Sequence, residues 1–179
     1  GFPESHRTWR HQIAALSDRF YCIAPDQRGY RGTSKPKEIE AYTADKLTAD
    51  IFALADALEV QDFTIAGHDW GGAIAWSVAL SGQPDGFNPA YAGRVGQAII
   101  ANAPHPYIFQ KTIIEDLNQR QACQYIRVFR GDELEKRIAE KGLDDVTPLD
   151  QNDAVVVSQL LERQIGHLGR PLEAVQVGV

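Results

Sequence analysis

The stretch Phe63-Thr64-Ile65-Ala66-Gly67-His68-Asp69-Trp70-Gly71-Gly72-Ala73-Ile74 constrains this chain more than any other. Its first half is a short apolar run, as in a strand buried on both faces, and its second half is small and apolar, as in a buried helix. Strand must give way to helix at one tight turn, and that turn carries an acid, Asp69. Gly67, Gly71 and Gly72 flank the acid, the residue type that permits a strained backbone and lets neighbouring segments pack closely.

The segments on either side repeat the same rhythm. Ser5 can cap a helix whose apolar positions Trp9, Ile13 and Leu16 recur at helical spacing. Phe20-Tyr21-Cys22-Ile23-Ala24 reads as a buried strand closed by Pro25, and residues 26–36 are dense in turn formers. Leu47, Ile51, Leu54 and Leu58 mark a helix over 43–58, with Asp45 in its first turn. Past the turn, residues 73–80 predict a helix buried nearly all round, residues 81–94 a long connection, and residues 95–101 another buried strand. Such alternation predicts a parallel sheet with right-handed crossovers, an α/β sandwich.

After Asn102-Ala103-Pro104-His105-Pro106 only helical periodicity remains, over 108–115, 117–129, 132–141 and 153–161. The expected organisation is therefore an α/β core over 1–106 and a partial helical cap over 107–179, whose tail from 164 onward receives no assignment.

Composition excludes several partners. With 44% hydrophobic and 23% charged residues the chain reads as soluble and globular. A net charge of −6 without runs of Lys or Arg argues against nucleic acid and anionic membranes. No apolar run approaches the ~18 residues of a membrane helix. Cys22 and Cys123 lack metal-ligand spacing and read as buried thiols, compatible with a reducing, cytoplasmic compartment. The chain contains no Met, and Gly1-Phe2-Pro3 reads as a loop that follows a strand, so a piece of a longer protein is expected.

Two readings of Asp69 stand side by side. Asp is among the commonest helix N-caps. A plain cap needs no glycine on both sides, however, whereas a Gly-x-nucleophile-x-Gly elbow does. At a helix N-terminus the carboxylate is favoured as the anion, the form that can attack carbon and form an ester.

Five motifs carry a family likeness: Gly1-Phe2-Pro3-Glu4-Ser5 with Trp9-Arg10-His11-Gln12; Ala24-Pro25-Asp26 with Arg28-Gly29-Tyr30; Ser34-Lys35-Pro36; Gly67-His68-Asp69-Trp70-Gly71-Gly72; and Asn102-Ala103-Pro104-His105-Pro106. In this order they resemble the α/β-hydrolase fold in its epoxide hydrolase and haloalkane dehalogenase branch, densely over 1–106 and loosely beyond. The resemblance implies a three-layer sandwich with a mostly parallel sheet, followed by a helical cap. It implies no metal or cofactor and a small-molecule substrate, and leaves oligomeric state open.

The same resemblance assigns Asp69 as nucleophile, the backbone N–H groups of Phe2 and Trp70 as an oxyanion hole, and Tyr125 as a cap tyrosine that hydrogen-bonds an epoxide oxygen. For Tyr125 a packing role stays equally open. Asp in place of Ser points toward displacement at carbon rather than acyl transfer. In similar dehalogenases the Trp at the position of Trp70 also holds the halide, but the side chain at Phe2 cannot supply a second donor, which favours epoxide hydrolysis.

None of the five histidines, His6, His11, His68, His105 and His167, suits the family's general base, and Asn102 cannot serve as a triad acid. Asp26 and Arg28 are expected to form a loop-bracing ion pair. The leading expectation is an epoxide hydrolase that works through an Asp-alkyl ester. A haloalkane dehalogenase with the same Asp, or an inactive fragment or pseudoenzyme lacking its base, are the alternatives.

Overall fold

The computed structural model describes residues 1–2, 4–126, 140 and 175–178. They fall into two compact units, one built on residues 1–103 with the strand at 175–178, the other beginning at Pro104.

In the first unit a single 3-10 turn, His6–Trp9, leads into helix α1 (Arg10–Leu16), with Ser5 capping the turn through the Arg7 amide. Strand β1 (Cys22–Ile23), helix α2 (Ala44–Ala57), strand β2 (Phe63–His68), helix α3 (Trp70–Gly82) and strand β3 (Val95–Ala101) follow. A last strand, β4 (Val175–Gly178), returns to the same sheet. The sheet order is β1-β4-β2-β3 and every pairing is parallel.

Helices cover both faces. Phe63 and Ile65 of β2 pack with Ile51, Phe52 and Ala55 of α2 and Ala75 and Val78 of α3. Ala66, pointing the other way by strand alternation, packs with Trp9, Leu16 and Phe20. All six residues of β2 are buried as a result. The described residues thus form the helix–sheet–helix layering expected from the sequence.

The register between β2 and β3 shifts after Phe63↔Val95, so that Thr64 faces Gln97. The extra residue reverses the alternation along β3: Val95 packs beside α2 and α3, while Ile99 packs with α1.

Three expectations need correction. β3 is not wholly buried, since it lies at the edge of the described sheet and Gly96, Gln97 and Ala98 are exposed. α3 is not buried all round either. Gly71, Ala75, Val78 and Gly82 form one stripe at helical spacing against the sheet, while Trp70 and Ala73 are exposed. The tail, left without an assignment or grouped with the cap, contributes β4 to the core sheet. Four residues are too few for a periodic signal, and the strand is defined by its two pairings, Cys22↔Val175 and Thr64↔Val175 among them.

In the second unit, helix α4 (Pro106–Glu115) begins with Pro in its first turn, where the missing N–H has no helical partner to lose, and His105 Nδ1 accepts from the Tyr107 amide. Helix α5 (Leu117–Ala122) is capped by Asp116, which accepts from the amides of Asn118 and Gln119. The helix expected over 117–129 breaks at Cys123 and resumes at residues 125–126. Apart from Glu140, the helices expected over 132–141 and 153–161, and His167, lie outside the described residues.

Candidate active site

Chain direction alone brings Asp69 to the carboxyl end of β2, beside the N-terminus of α3. Its backbone adopts φ 53° and ψ −122°, a left-handed conformation that costs a non-glycine residue about 1–3 kcal/mol. Surrounding contacts hold the strain in place. The Asp69 amide donates to Ala101 O at the end of β3 (3.1 Å), and Asp69 O accepts the first helical bond of α3 from Ala73 (3.0 Å).

The flanking glycines are explained by distance. A Cβ on Gly67 would stand 2.4 Å from Gly71 O and 2.6 Å from Ala75 Cβ, and one on Gly72 would stand 2.6 Å from Ala103 Cβ. Those separations lie well inside van der Waals contact, so the elbow exists because these positions lack side chains.

The Asp69 side chain makes no capping bond to α3. Its Oδ1 accepts instead from the Phe2 amide at 3.0 Å, across 67 residues of sequence. The capping alternative is therefore not what this carboxylate does. The Trp70 amide opens α3, a position whose N–H has no intrahelical acceptor. The structure thus brings Phe2, Asp69 and Trp70 to one place. Tyr125 belongs to the second unit, just past α5, where it is exposed.

Phe2, Glu4 and His6 are each fastened to a distant residue. Beyond the Phe2 amide, Glu4 Oε2 lies 3.5 Å from Nδ1 of the buried His68, the residue before Asp69. His6 donates its amide to Asp26 Oδ1 (2.9 Å) and places its ring Nδ1 2.9 Å from Oδ2 of the same carboxylate. The His68 ring, above all, holds the Glu4 carboxyl down at about 2. Burial works against ionisation of Asp26, but the His6 bonds and the Arg31 charge outweigh it and keep its pKa below the usual range. Burial, with the Asp69 and Glu4 charges adding, pushes the Tyr30 phenol up.

The ion pair expected between Asp26 and Arg28 does not form. Arg28 donates in a two-pronged fashion to Asp50 (2.9 and 2.6 Å) and to Ala41 O (3.1 Å), while Asp26 is shared by His6 and by Arg31, 3.7 Å away. Asp26, Arg28 and Asp50 line a cavity of about 270 Å³ with Pro25, Leu47, Ile51 and Leu54. Its charged walls already satisfy one another. Among the described residues, no group of three or more His, Cys, Asp or Glu could hold a metal ion, and no helix is long and apolar enough to cross a membrane.

The sequence model of the α/β hydrolase fold matches residues 1–90. The chain belongs to the α/β hydrolase fold family. This α/β hydrolase chain is 31% identical over 150 residues to epoxide hydrolase 1 of Caenorhabditis elegans, which covers 84% of this chain and 34% of that protein. It resembles the solved structure of an epoxide hydrolase from metagenomes of hot environments, with 53% identity, a TM-score of 0.72, and coverage of 89% of this chain and 54% of that one. A Bacillus megaterium epoxide hydrolase in complex with an inhibitor also has a TM-score of 0.72, at 30% identity, covering 88% of this chain and 56% of that one. The α/β hydrolase chain thus spans about a third of the curated relative's length and about half of each solved chain.

Sequence reasoning missed the pairs Glu4–His68, His6–Asp26 and Arg28–Asp50. For the first a signal existed. His68 falls on the same face of β2 as Ala66, which packs against the 1–20 segment. A histidine buried there requires a polar partner from that segment.

Proposed function

We propose that the parent enzyme is an epoxide hydrolase and that this chain carries its nucleophile, Asp69. The observation that carries the reading is the Asp69 side chain. It sits on a strained elbow at a helix N-terminus with one oxygen, Oδ1, held by the Phe2 amide. The other oxygen, Oδ2, then attacks an epoxide carbon. The C–O bond of the ring breaks, and the alkoxide so formed takes a proton from the Tyr125 phenol.

An ester between Asp69 and the opened epoxide results. In its hydrolysis the negative charge develops on Oδ1, where the Phe2 amide already points and where the Trp70 amide adds a second donor. The step also needs a base to deprotonate water. Among the described histidines, His68 faces Glu4, His6 is bound to Asp26, His105 caps α4 and His11 lies exposed on α1. With none of the described histidines placed as that base, the ester is expected to accumulate. The same substrate relationship is supported by the epoxide hydrolases to which the chain is similar.

Incubation of the chain with an epoxide, followed by intact-mass measurement, tests this. The expected product is a stable one-to-one adduct of the epoxide's full mass. Faster adduct formation with a haloalkane, accompanied by halide release, would move the reading to a dehalogenase. Sustained diol production by this chain would show that it holds its own base.

A further inference from the structure

The loop that presents the Phe2 amide is a short irregular segment, yet its N–H must stay within hydrogen-bond reach of one carboxylate oxygen. Phe2 holds Asp69 at one point of this loop and His6 holds Asp26 at another. Between them Glu4 reaches His68, so that a side chain two residues after Phe2 meets the side chain immediately before Asp69. This contact therefore runs alongside the Phe2–Asp69 hydrogen bond and ties together the same two stretches of backbone.

The two atoms that face each other, Glu4 Oε2 and His68 Nδ1, are fully buried, and neither makes a well-aligned hydrogen bond among the described residues, although the Gly1 ammonium also lies 3.3 Å from Glu4 Oε2. At 3.5 Å they are within ion-pair distance of each other. A buried imidazole nitrogen without a partner is unfavourable, and contact with the Glu4 carboxylate relieves it, while His68 joins the Gly1 ammonium in compensating the buried carboxylate. Glu4 is ionised throughout the neutral range.

We propose that Glu4 and His68 form a positioning clamp that ties Glu4 to the end of β2 and thereby helps to fix the Phe2 amide on Asp69 Oδ1. The clamp touches no reacting atom. It acts through the Phe2 N–H, the donor on which stabilisation of charge at Oδ1 depends. This rests on the epoxide hydrolase reading only for its kinetic consequence, since the clamp itself is a property of the loop.

Two measurements on the full chain test it. The first is hydrogen exchange at the Phe2 amide, which needs no catalysis. Glu4→Ala and His68→Ala should raise that exchange roughly tenfold or more while the amides of β2 stay protected. His68→Asn keeps a donor near the place of Nδ1 and should restore protection at Phe2. The second is cleavage of the Asp69 ester by hydroxylamine, which attacks the acyl carbon, forms a hydroxamate on Asp69 and releases the diol. Its rate should fall about tenfold or more in the two alanine variants and recover in His68→Asn.

Equal exchange at Phe2 in wild type and both alanine variants would overturn the clamp, as would loss in His68→Asn equal to that in His68→Ala. Failure of the wild-type chain to form any ester would instead count against the proposed function. The exchange measurement would still decide the clamp.

Discussion

Two acids follow the carboxyl ends of strands in this molecule, and they are treated in opposite ways. Asp26, after β1, is enclosed by cations and donors: the His6 amide and ring, and the Arg31 guanidinium. Asp69, after β2, accepts from one backbone amide and meets no cation within ion-pair distance among the described residues. Asp26 is not among the positive-φ residues, whereas Asp69 is held at φ 53° in an elbow whose close packing its glycine neighbours permit. An acid with both oxygens engaged braces a loop. One with a single amide on one oxygen, and strain in its backbone, retains an oxygen for chemistry.

Exchanging the two acids for their amides probes that contrast most sharply. Asp69→Asn removes the carboxylate proposed to attack and should lower the rate of adduct formation by about a thousandfold or more, read by intact mass. Gly67→Ala attacks the elbow rather than the acid. Its methyl meets Gly71 O and Ala75 Cβ, and should destabilise the fold by about 3 kcal/mol or more in denaturant unfolding.

Tyr125→Phe leaves the acid and the elbow intact and should slow adduct formation roughly tenfold. Asp26→Asn belongs to the other side of the comparison. It should cost about 1–2 kcal/mol of stability through the loss of the His6 and Arg31 interactions, with adduct formation changed less than about threefold.

Acid titration separates bracing groups by pH. Glu4 is held at about 2 against an ordinary 4.5, so its contribution to stability is fully present above pH 4.5 and is lost as pH falls toward 2. Asp26, also lowered, acts in the same direction. Unfolding free energy should therefore decline below pH 4.5, and Glu4→Gln should flatten part of that decline.

The elbow was legible in the sequence because its cause is local: three glycines and an acid within six residues, between a strand pattern and a helix pattern. The Phe2 amide was legible only through the family likeness, since nothing in a Gly-Phe-Pro loop points to a residue 67 positions away. Asp26 and Arg28 misled because they lie two apart in sequence, where the turn directs them to different partners, His6 and Asp50. β4 escaped because a strand of four residues is defined by neighbours from distant segments, and β3 looked fully buried because composition does not reveal which strand lies at the edge among the described residues.

The central claim is that Asp69 is the oxygen nucleophile, and peptide mapping of the epoxide-treated chain tests it most directly. The account predicts an adduct of the epoxide's mass on the peptide that contains Asp69, discharged by hydroxylamine and absent in Asp69→Asn. An adduct confined to Cys22, Cys123 or a histidine, with the Asp69 peptide unmodified, would contradict it.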